Sequence, residues 1–371
     1  MLTGNPMKSK HIVADCVPKS TKLTVLLFAA LSAGTACAQS SIQLYGQIDE
    51  WIGSQKFPAN ERAWNISGGG MSTSYWGMKG TEDLGGGFKT IFALEAFYRP
   101  QNGQAGRFQG DTFFARNAYV GMFSPYGTLT AGRITSNLFV STILFNPFVD
   151  SYVFSPMIYH TYLGTSTFPA YRTDQGAVGD SGWSNSVAYT SPDFSGLSGS
   201  VMYSFGNGAG AGGQHKDSAQ VLYLNGALSA TAVYQYVNYK NVANDFSNPA
   251  SANIVAGLRS QSIGQLGLTY DFKLVKLYGQ YMYTQNSVSS GDYHVSTGQA
   301  GFTIPIANGK VMASYAYSKD SGGFDQTRRT WAVGYDYPLS KRTDVYAAYL
   351  DDKISGESHG ETFGVGIRAK F

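Results

Sequence analysis

Apolar and polar positions alternate with a period of two along most of this chain. A β-strand turns successive side chains to opposite faces, so this alternation marks strands with two different surroundings. Sixteen stretches carry it: 41–53, 70–80, 87–99, 112–124, 126–134, 183–192, 194–205, 218–226, 227–239, 262–272, 273–284, 292–304, 309–320, 327–337, 342–352 and the closing 360–371. In 327–337, Arg329, Trp331, Val333, Tyr335 and Tyr337 share one face, and Arg328, Thr330, Ala332, Gly334 and Asp336 the other. The last stretch ends on an aromatic residue: Phe363, Val365, Ile367, Ala369 and Phe371 alternate with Thr362, Gly364, Gly366, Arg368 and Lys370. Helix-period stripes are missing, and Tyr, Phe, Val and Thr dominate the periodic segments, which favours strands.

The connections alternate in length. Tight turns such as "DLGGG", "SPYG", "NGALS" and "IANG" take turns with longer Gly-, Ser- and Asn-rich loops, the longest being 135–182. That is the rhythm of up-and-down antiparallel strands with every tight turn at one end. A soluble sandwich would put charge on the outer face, whereas here many faces are aromatic and aliphatic throughout. A closed barrel in a bilayer accounts for both, because lipid requires an apolar exterior, water tolerates a polar interior, and closure satisfies every backbone group. Tyrosines and tryptophans would gather at the membrane interfaces.

Composition agrees. Charged residues are 14% of the 371, low beside the roughly 25% of soluble domains. Four lysines precede the apolar run Leu23–Ala33, and Ala36-Cys37-Ala38 is a small-residue cleavage pattern, so residues 1–38 are expected to be a signal peptide and 39–371 the mature barrel. Both cysteines lie in that leader, which leaves no disulfide or cysteine metal site for the mature chain. Without the leader's four lysines and one aspartate, 23 basic and 23 acidic residues remain. The overall charge of +3 therefore says nothing of nucleic acid, and neither a nucleic-acid partner nor a cofactor is expected.

Several segments resemble the trimeric general porins of beta-proteobacteria: "SSIQLYGQID", "GMKGTEDLGGGFKTIFALE", "ARNAYVGMFSPYGTLTAGR", "NSVAYTSPDFSGL" and the terminal phenylalanine. The resemblance implies an all-β, 16-stranded antiparallel transmembrane barrel, a homotrimer in the outer membrane, with the third extracellular loop folded into the lumen. Here that loop is 135–182. It implies passive diffusion of small hydrophilic solutes and ions, with no chemistry, and a constriction where wall arginines face the inserted loop. Arg116 and Arg133 match family arginines. A third position holds Tyr75, and a fourth falls at Gly182 or Trp183, so Arg99 and Arg172 are the candidates to replace the missing cations. Phe371 resembles the signal read by the outer-membrane assembly machinery.

Strand parity adds to this. Trp76 and Met78 take the lipid face, leaving Tyr75 and Lys79 to the lumen, and Lys89, Glu95 and Arg99 share the lumen face of 87–99. Arg133 has the parity of lipid-facing Leu129 and Ala131, so it reaches the lumen only through a bulge or at a strand exit. The expected constriction set is thus Tyr75, Lys79, Glu95, Arg99, Arg116, Arg133, Asp150 and Arg172. With overall neutrality, selectivity should be weak and lean anionic. The alternative is a channel selective for aromatic or amphipathic organic acids, with loop aromatics and Tyr75 as a slide; the competing account packs those aromatics on the wall. Gly356-Glu357-Ser358-His359-Gly360 matches a nucleophile elbow and Gly208, Gly210 and Gly213 a dinucleotide loop, but neither is followed by the helix such chemistry needs.

Overall fold

The computed structural model describes residues 41–163, 176–178, 180–206, 215–238, 258–322 and 325–371. The expected leader, residues 1–38, and Arg172 lie outside them.

Eighteen strands form among these residues: β1 (Ser41–Lys56), β2 (Ala63–Gly68), β3 (Tyr75–Gly85), β4 (Phe88–Arg99), β5 (Gln104–Ala105), β6 (Asn117–Ser124), β7 (Gly127–Thr135), β8 (Gly182–Thr190), β9 (Leu197–Phe205), β10 (His215–Asn225), β11 (Leu228–Asn238), β12 (Leu258–Asp271), β13 (Lys276–Val288), β14 (Tyr293–Ile306), β15 (Gly309–Ser321), β16 (Thr327–Pro338), β17 (Thr343–Ile354) and β18 (Gly360–Lys370). β2 and β3 pair with successive parts of β1, so the two share one position in the wall. β5 pairs only with the end of β4. The wall therefore has sixteen positions, all antiparallel, and β1 closes it against β18. Each position coincides with one of the sixteen alternating stretches. Two starts move inward and one strand is added: the strand expected from 112 begins at Asn117, the one expected from 70 begins at Tyr75, and β2 lies in what reads as loop.

The alternation becomes inside and outside. On β12, Gln261, Ile263, Gln265 and Thr269 are buried, while Leu266, Leu268 and Tyr270 are exposed. A soluble protein would reverse this; in a bilayer, the exposed apolar band is the lipid surface. Tyr126, Tyr189, Phe194, Tyr270 and Phe272 ring the turn end, and Trp64, Phe205, Tyr283, Trp331 and Phe363 stand outward in the loop-end halves of their strands. Long loops mark the extracellular end.

The segment after β7 is the third long connection, and it enters the barrel. It carries two helices that alternation does not show: α1 (Asn137–Leu144) and α2 (Pro156–Tyr162). Their signals are local. Ser136 accepts from the Phe139 N–H, Ser155 from the Ile158 N–H, and Pro156 opens the first turn of α2. Eight and seven residues span two turns each, too few to establish a helical period among so many aromatics. Phe145, Phe148, Phe154, Met157 and Ile158 are fully buried. Phe154 meets Trp51 of β1 edge-on, ring centroids 5.7 Å apart. Burying one such side chain is worth about 1.5–3 kcal/mol, against about 1 kcal/mol for a hydrogen bond. Apolar contact thus holds the loop in place, and polar contacts set its position.

Candidate functional site

The loop divides the lumen into two unlike walls. One is covered. The Thr142 carbonyl and hydroxyl accept hydrogen bonds from Gln280 and Gln265 at 3.1 and 3.0 Å. Farther round, His160 of α2 lies between Ser318 of β15 and Thr330 of β16, with its Nε2 2.8 Å from the threonine hydroxyl. Burial, with Arg328 nearby, keeps the His160 imidazole well below its ordinary pKa, so it is neutral at pH 7. Arg328, 2% exposed, makes a fork-like pair with Asp352 (2.9 and 2.7 Å) and donates to the Tyr159 and Leu163 carbonyls. This guanidinium ties α2 to β16 and β17. Parity already puts Arg328 on the polar face; its carboxylate partner depends on a strand register that alternation leaves open.

The facing wall keeps access to the lumen. Arg116, just ahead of β6, lies over the Tyr75 ring at 4.1 Å and pairs with Glu95 of β4 at 2.5 Å, its side chain one-third exposed. Tyr45 and Asn117 donate to the same carboxylate. Tyr45 meets Tyr75 edge-on at 6.1 Å, and the exposed Lys79 ammonium sits 4.7 Å from the Tyr45 ring. Asp150 of the loop accepts from the Ser72 hydroxyl at 2.8 Å. Burial pushes the Asp150 carboxyl above its ordinary range, and the Ser72 hydroxyl and Arg116 draw it only partly back. The structure thus gathers Tyr75, Lys79, Glu95 and Arg116 into one cluster, with Asp150 approaching from the loop.

The other expected residues lie elsewhere. Arg133 reaches inward through a kink at Gly132, whose φ of +137° suits glycine, beside a register shift between Gly132 and Ile134 against β8. It is 5% exposed, donating to the Ala115 carbonyl (2.6 Å), Ser184 (2.9 Å) and Asp180 (2.7 Å). Arg107 grips the same Asp180 at 2.8 and 3.1 Å and also pairs with Asp111. Burial alone would raise the Asp180 carboxyl; the two guanidiniums outweigh it and hold it well below the usual carboxylate range. This knot secures the root of the inserted loop. Arg99 turns to the β5 hairpin, reaching the Ala105 carbonyl at 3.5 Å.

Tyr45, Arg107 and Arg328 were not among the expected site residues. Tyr45 is visible by parity with Gln43 and Gln47. Arg107 gives no signal, because it lies in a loop and Asp180, the partner that ties it to the inserted loop, is 73 residues away. A second charged group lines the lumen near the barrel seam, where Arg368 contacts Asp344 at 3.0 Å and Asp336 at 3.7 Å, and Lys310 contacts Asp336 at 3.3 Å. At the seam itself, Phe371 exchanges backbone hydrogen bonds with Gly46 at 3.1 and 3.2 Å. A Cβ at Gly46 would lie 2.8 Å from the Phe371 ring, so glycine there makes room for it. The Ser358 hydroxyl accepts from the Ala59 N–H in a turn that leads into β18, and the 208–213 motif lies outside the described residues.

Comparison with known proteins agrees with this architecture. An outer membrane porin protein of Bordetella pertussis is 29% identical over 95% of this chain and its own full length. Outer membrane porin protein 32 of Delftia acidovorans is 29% identical over 90% of both chains. Among solved structures, an anion-selective porin from Comamonas acidovorans superposes with a TM-score of 0.73 at 23% identity, covering 90% of this chain and all of that one. The trimer form of OmpT from Vibrio cholerae gives 0.66 at 14% identity, over 90% and 99% of the two chains. A family model described as Gram-negative porin matches residues 23–356, and the chain belongs to that family of outer-membrane proteins.

Proposed function

We infer that this chain forms a water-filled channel through which small hydrophilic solutes and ions cross the outer membrane by passive diffusion. The supporting observation is the asymmetry of the lumen: the loop covers one wall, while Lys79, Tyr75 and Arg116 on the other keep their access. The narrowest passage runs between that cluster and the loop around Asp150. Tyr75, Lys79, Glu95 and Arg116 line it; Arg133 positions the loop root, and Arg99 belongs to the approach from outside. Selectivity is weak and leans anionic. Arg116 shares Glu95 with two neutral donors, and Lys79 has no acidic partner among the described residues. A low-dielectric wall focuses such fields. The selectivity named for the Comamonas acidovorans porin agrees in sign. No reaction is catalysed, and among the described residues no cluster of His, Cys, Asp and Glu could hold a metal. Reversal potentials in planar bilayers under asymmetric KCl test this; clear cation preference overturns the anionic lean, and a silent barrel overturns the channel.

The partners are two further copies of the chain, outer-membrane lipid and the assembly machinery. Cross-linking of the folded protein tests the homotrimer, a state named for the Vibrio cholerae relative. Phe371 serves both closure and recognition by that machinery. Its deletion should lower the amount of folded protein in the membrane while leaving the conductance of each inserted channel unchanged.

A second reading is favoured by the aromatics that stay partly exposed. Phe139 meets Tyr162 at 5.3 Å and Tyr152 meets Tyr162 at 6.4 Å on the loop, while Tyr45 and Tyr75 flank Arg116 on the wall. Rings beside a cation suit aromatic or amphipathic organic acids. Liposome swelling with benzoate-like anions against sugars decides, and permeation ordered by size alone sinks this reading.

A further inference from the structure

The lipid face of a barrel is expected to be free of charge. At the extracellular end of three successive strands it is not. Lys319 of β15, Arg329 of β16 and Lys353 of β17 share the outward parity of Tyr317, Trp331 and Tyr349, and Lys319 and Arg329 are exposed. Arg329 stands directly opposite both Tyr317 and Lys353, and Lys319 lies opposite Thr327, one diagonal step from Arg329. Like charges opposed across a sheet repel. Among the described residues, neither Lys319 nor Arg329 has a hydrogen-bond or ion-pair partner. The acids near them are engaged or in the loop: Asp351 contacts His359 at 3.2 Å, Glu361 is paired with Arg62, and Asp325 lies in the adjoining loop. Lys353 donates to the Glu357 carbonyl. Toward the membrane centre come Trp331 and Tyr349, 5.3 Å apart. Beyond them an apolar groove of about 630 Å³ runs between Val333, Ala347, Tyr349, Phe363 and Val365.

We propose that this patch binds a phosphate-bearing, anionic glycolipid of the outer leaflet, with its phosphates on Lys319, Arg329 and Lys353 and an acyl chain in the groove. Three features on one strip carry this. The cations stand at the height where outer-leaflet headgroups lie, with aromatic rings at the interface below them. The like-charged pair lacks a counter-charge that a phosphate supplies. The groove is apolar and opens directly below. A free phosphate would use only the cations and leave the groove empty.

The test is native mass spectrometry of the full folded protein with added bis-phosphorylated lipid A, compared with the dephosphorylated lipid of identical acyl chains and with inorganic pyrophosphate. The phosphorylated lipid should bind, and the Lys319→Gln, Arg329→Gln, Lys353→Gln triple variant should bind it roughly a hundredfold more weakly, as three cations are lost from an anionic surface. A control exchanging Lys273, Lys341 and Arg342 for Gln at the turn end should bind like the parent. Should the triple variant not fold, Arg329→Gln alone and the salt dependence of the parent serve, and binding to the parent should weaken as ionic strength rises. Equal binding of the dephosphorylated lipid, no loss in the variants, or binding of pyrophosphate at the lipid's affinity overturns the proposal. So does a change of oligomeric state in place of lipid loss. Single-channel conductance should be the same throughout, which separates this site from the channel reading.

Discussion

The two walls of the lumen use the same residue types to opposite ends. On the covered wall, Arg328 is 2% exposed, and its described hydrogen bonds all go to Asp352 or to carbonyls of the inserted loop. On the open wall, Arg116 is one-third exposed, and its carboxylate is shared with Tyr45 and Asn117. Both are arginine–carboxylate pairs on a barrel lining. One is a fastening, because burial makes its loss costly; the other is a tunable charge, because water screens it. Burial, rather than residue identity, separates structure from selectivity here.

Four measurements probe that contrast, in falling order of effect. Arg328→Ala leaves Asp352 buried without its cation, which costs about 3–5 kcal/mol. It should free the loop, seen as new protease cleavage near α2 and a lower melting temperature. Arg328→Met with Asp352→Leu should recover most of that loss; no recovery would mean that the pair does more than fill space.

Acid should loosen the covered wall next. His160 is kept neutral by burial, whereas in a released loop it binds a proton below about pH 6.5. The His160 contribution to docking stability is therefore constant above that pH and falls as pH drops beneath it. Asp180, depressed by Arg107 and Arg133, adds its loss only below the ordinary carboxylate range near pH 4. Hydrogen exchange across 137–163 at pH 7 and pH 5 checks the sign, and His160→Gln should flatten the dependence.

Arg116→Ala should cost less stability than Arg328→Ala, because the buried Glu95 keeps the hydrogen bonds from Tyr45 and Asn117 when its cation is removed. Its effect belongs to transport: Glu95 stays behind, so the reversal potential should move toward cation preference. A stability loss matching that of Arg328→Ala would erase the distinction between the walls. Smallest of all, Lys79→Gln should move the reversal potential in the same direction, by less, with no change in melting.

The sixteen wall positions and the inside and outside of each were legible because a bilayer imposes opposite chemistry on alternate residues. Glu95, Tyr75 and Lys79 followed from that parity, and Arg116 from the family resemblance. What parity could not reach was whatever depends on register or on loops. Asp352 meets Arg328 because β16 and β17 align Thr330 with Asp352, an offset set by the turn and not by any periodicity. The Arg107–Asp180–Arg133 knot joins two loops and a strand exit. Only the requirement that Arg133 escape its parity hinted at it, and the kink at Gly132 is how the chain does so.

The seam between Gly46 and Phe371 has a kinetic consequence. They lie at the end of the β1–β18 pairing, which joins strands at opposite ends of the barrel segment, while the other wall pairings are made between successive wall positions. Closing so long a loop is entropically mild, costing only about 2–3 kcal/mol more than closing a hairpin of roughly twenty residues. The time required is the harder matter, since rates fall as contacts become more distant in sequence. Until β18 docks, the first strand has no partner on one side, and its outward Ile42, Leu44, Ile48 and Ile52 flank a sticky open edge. β18 therefore acts as a clock: the sheet stays prone to aggregation until that strand docks on β1 and turns an edge into a wall.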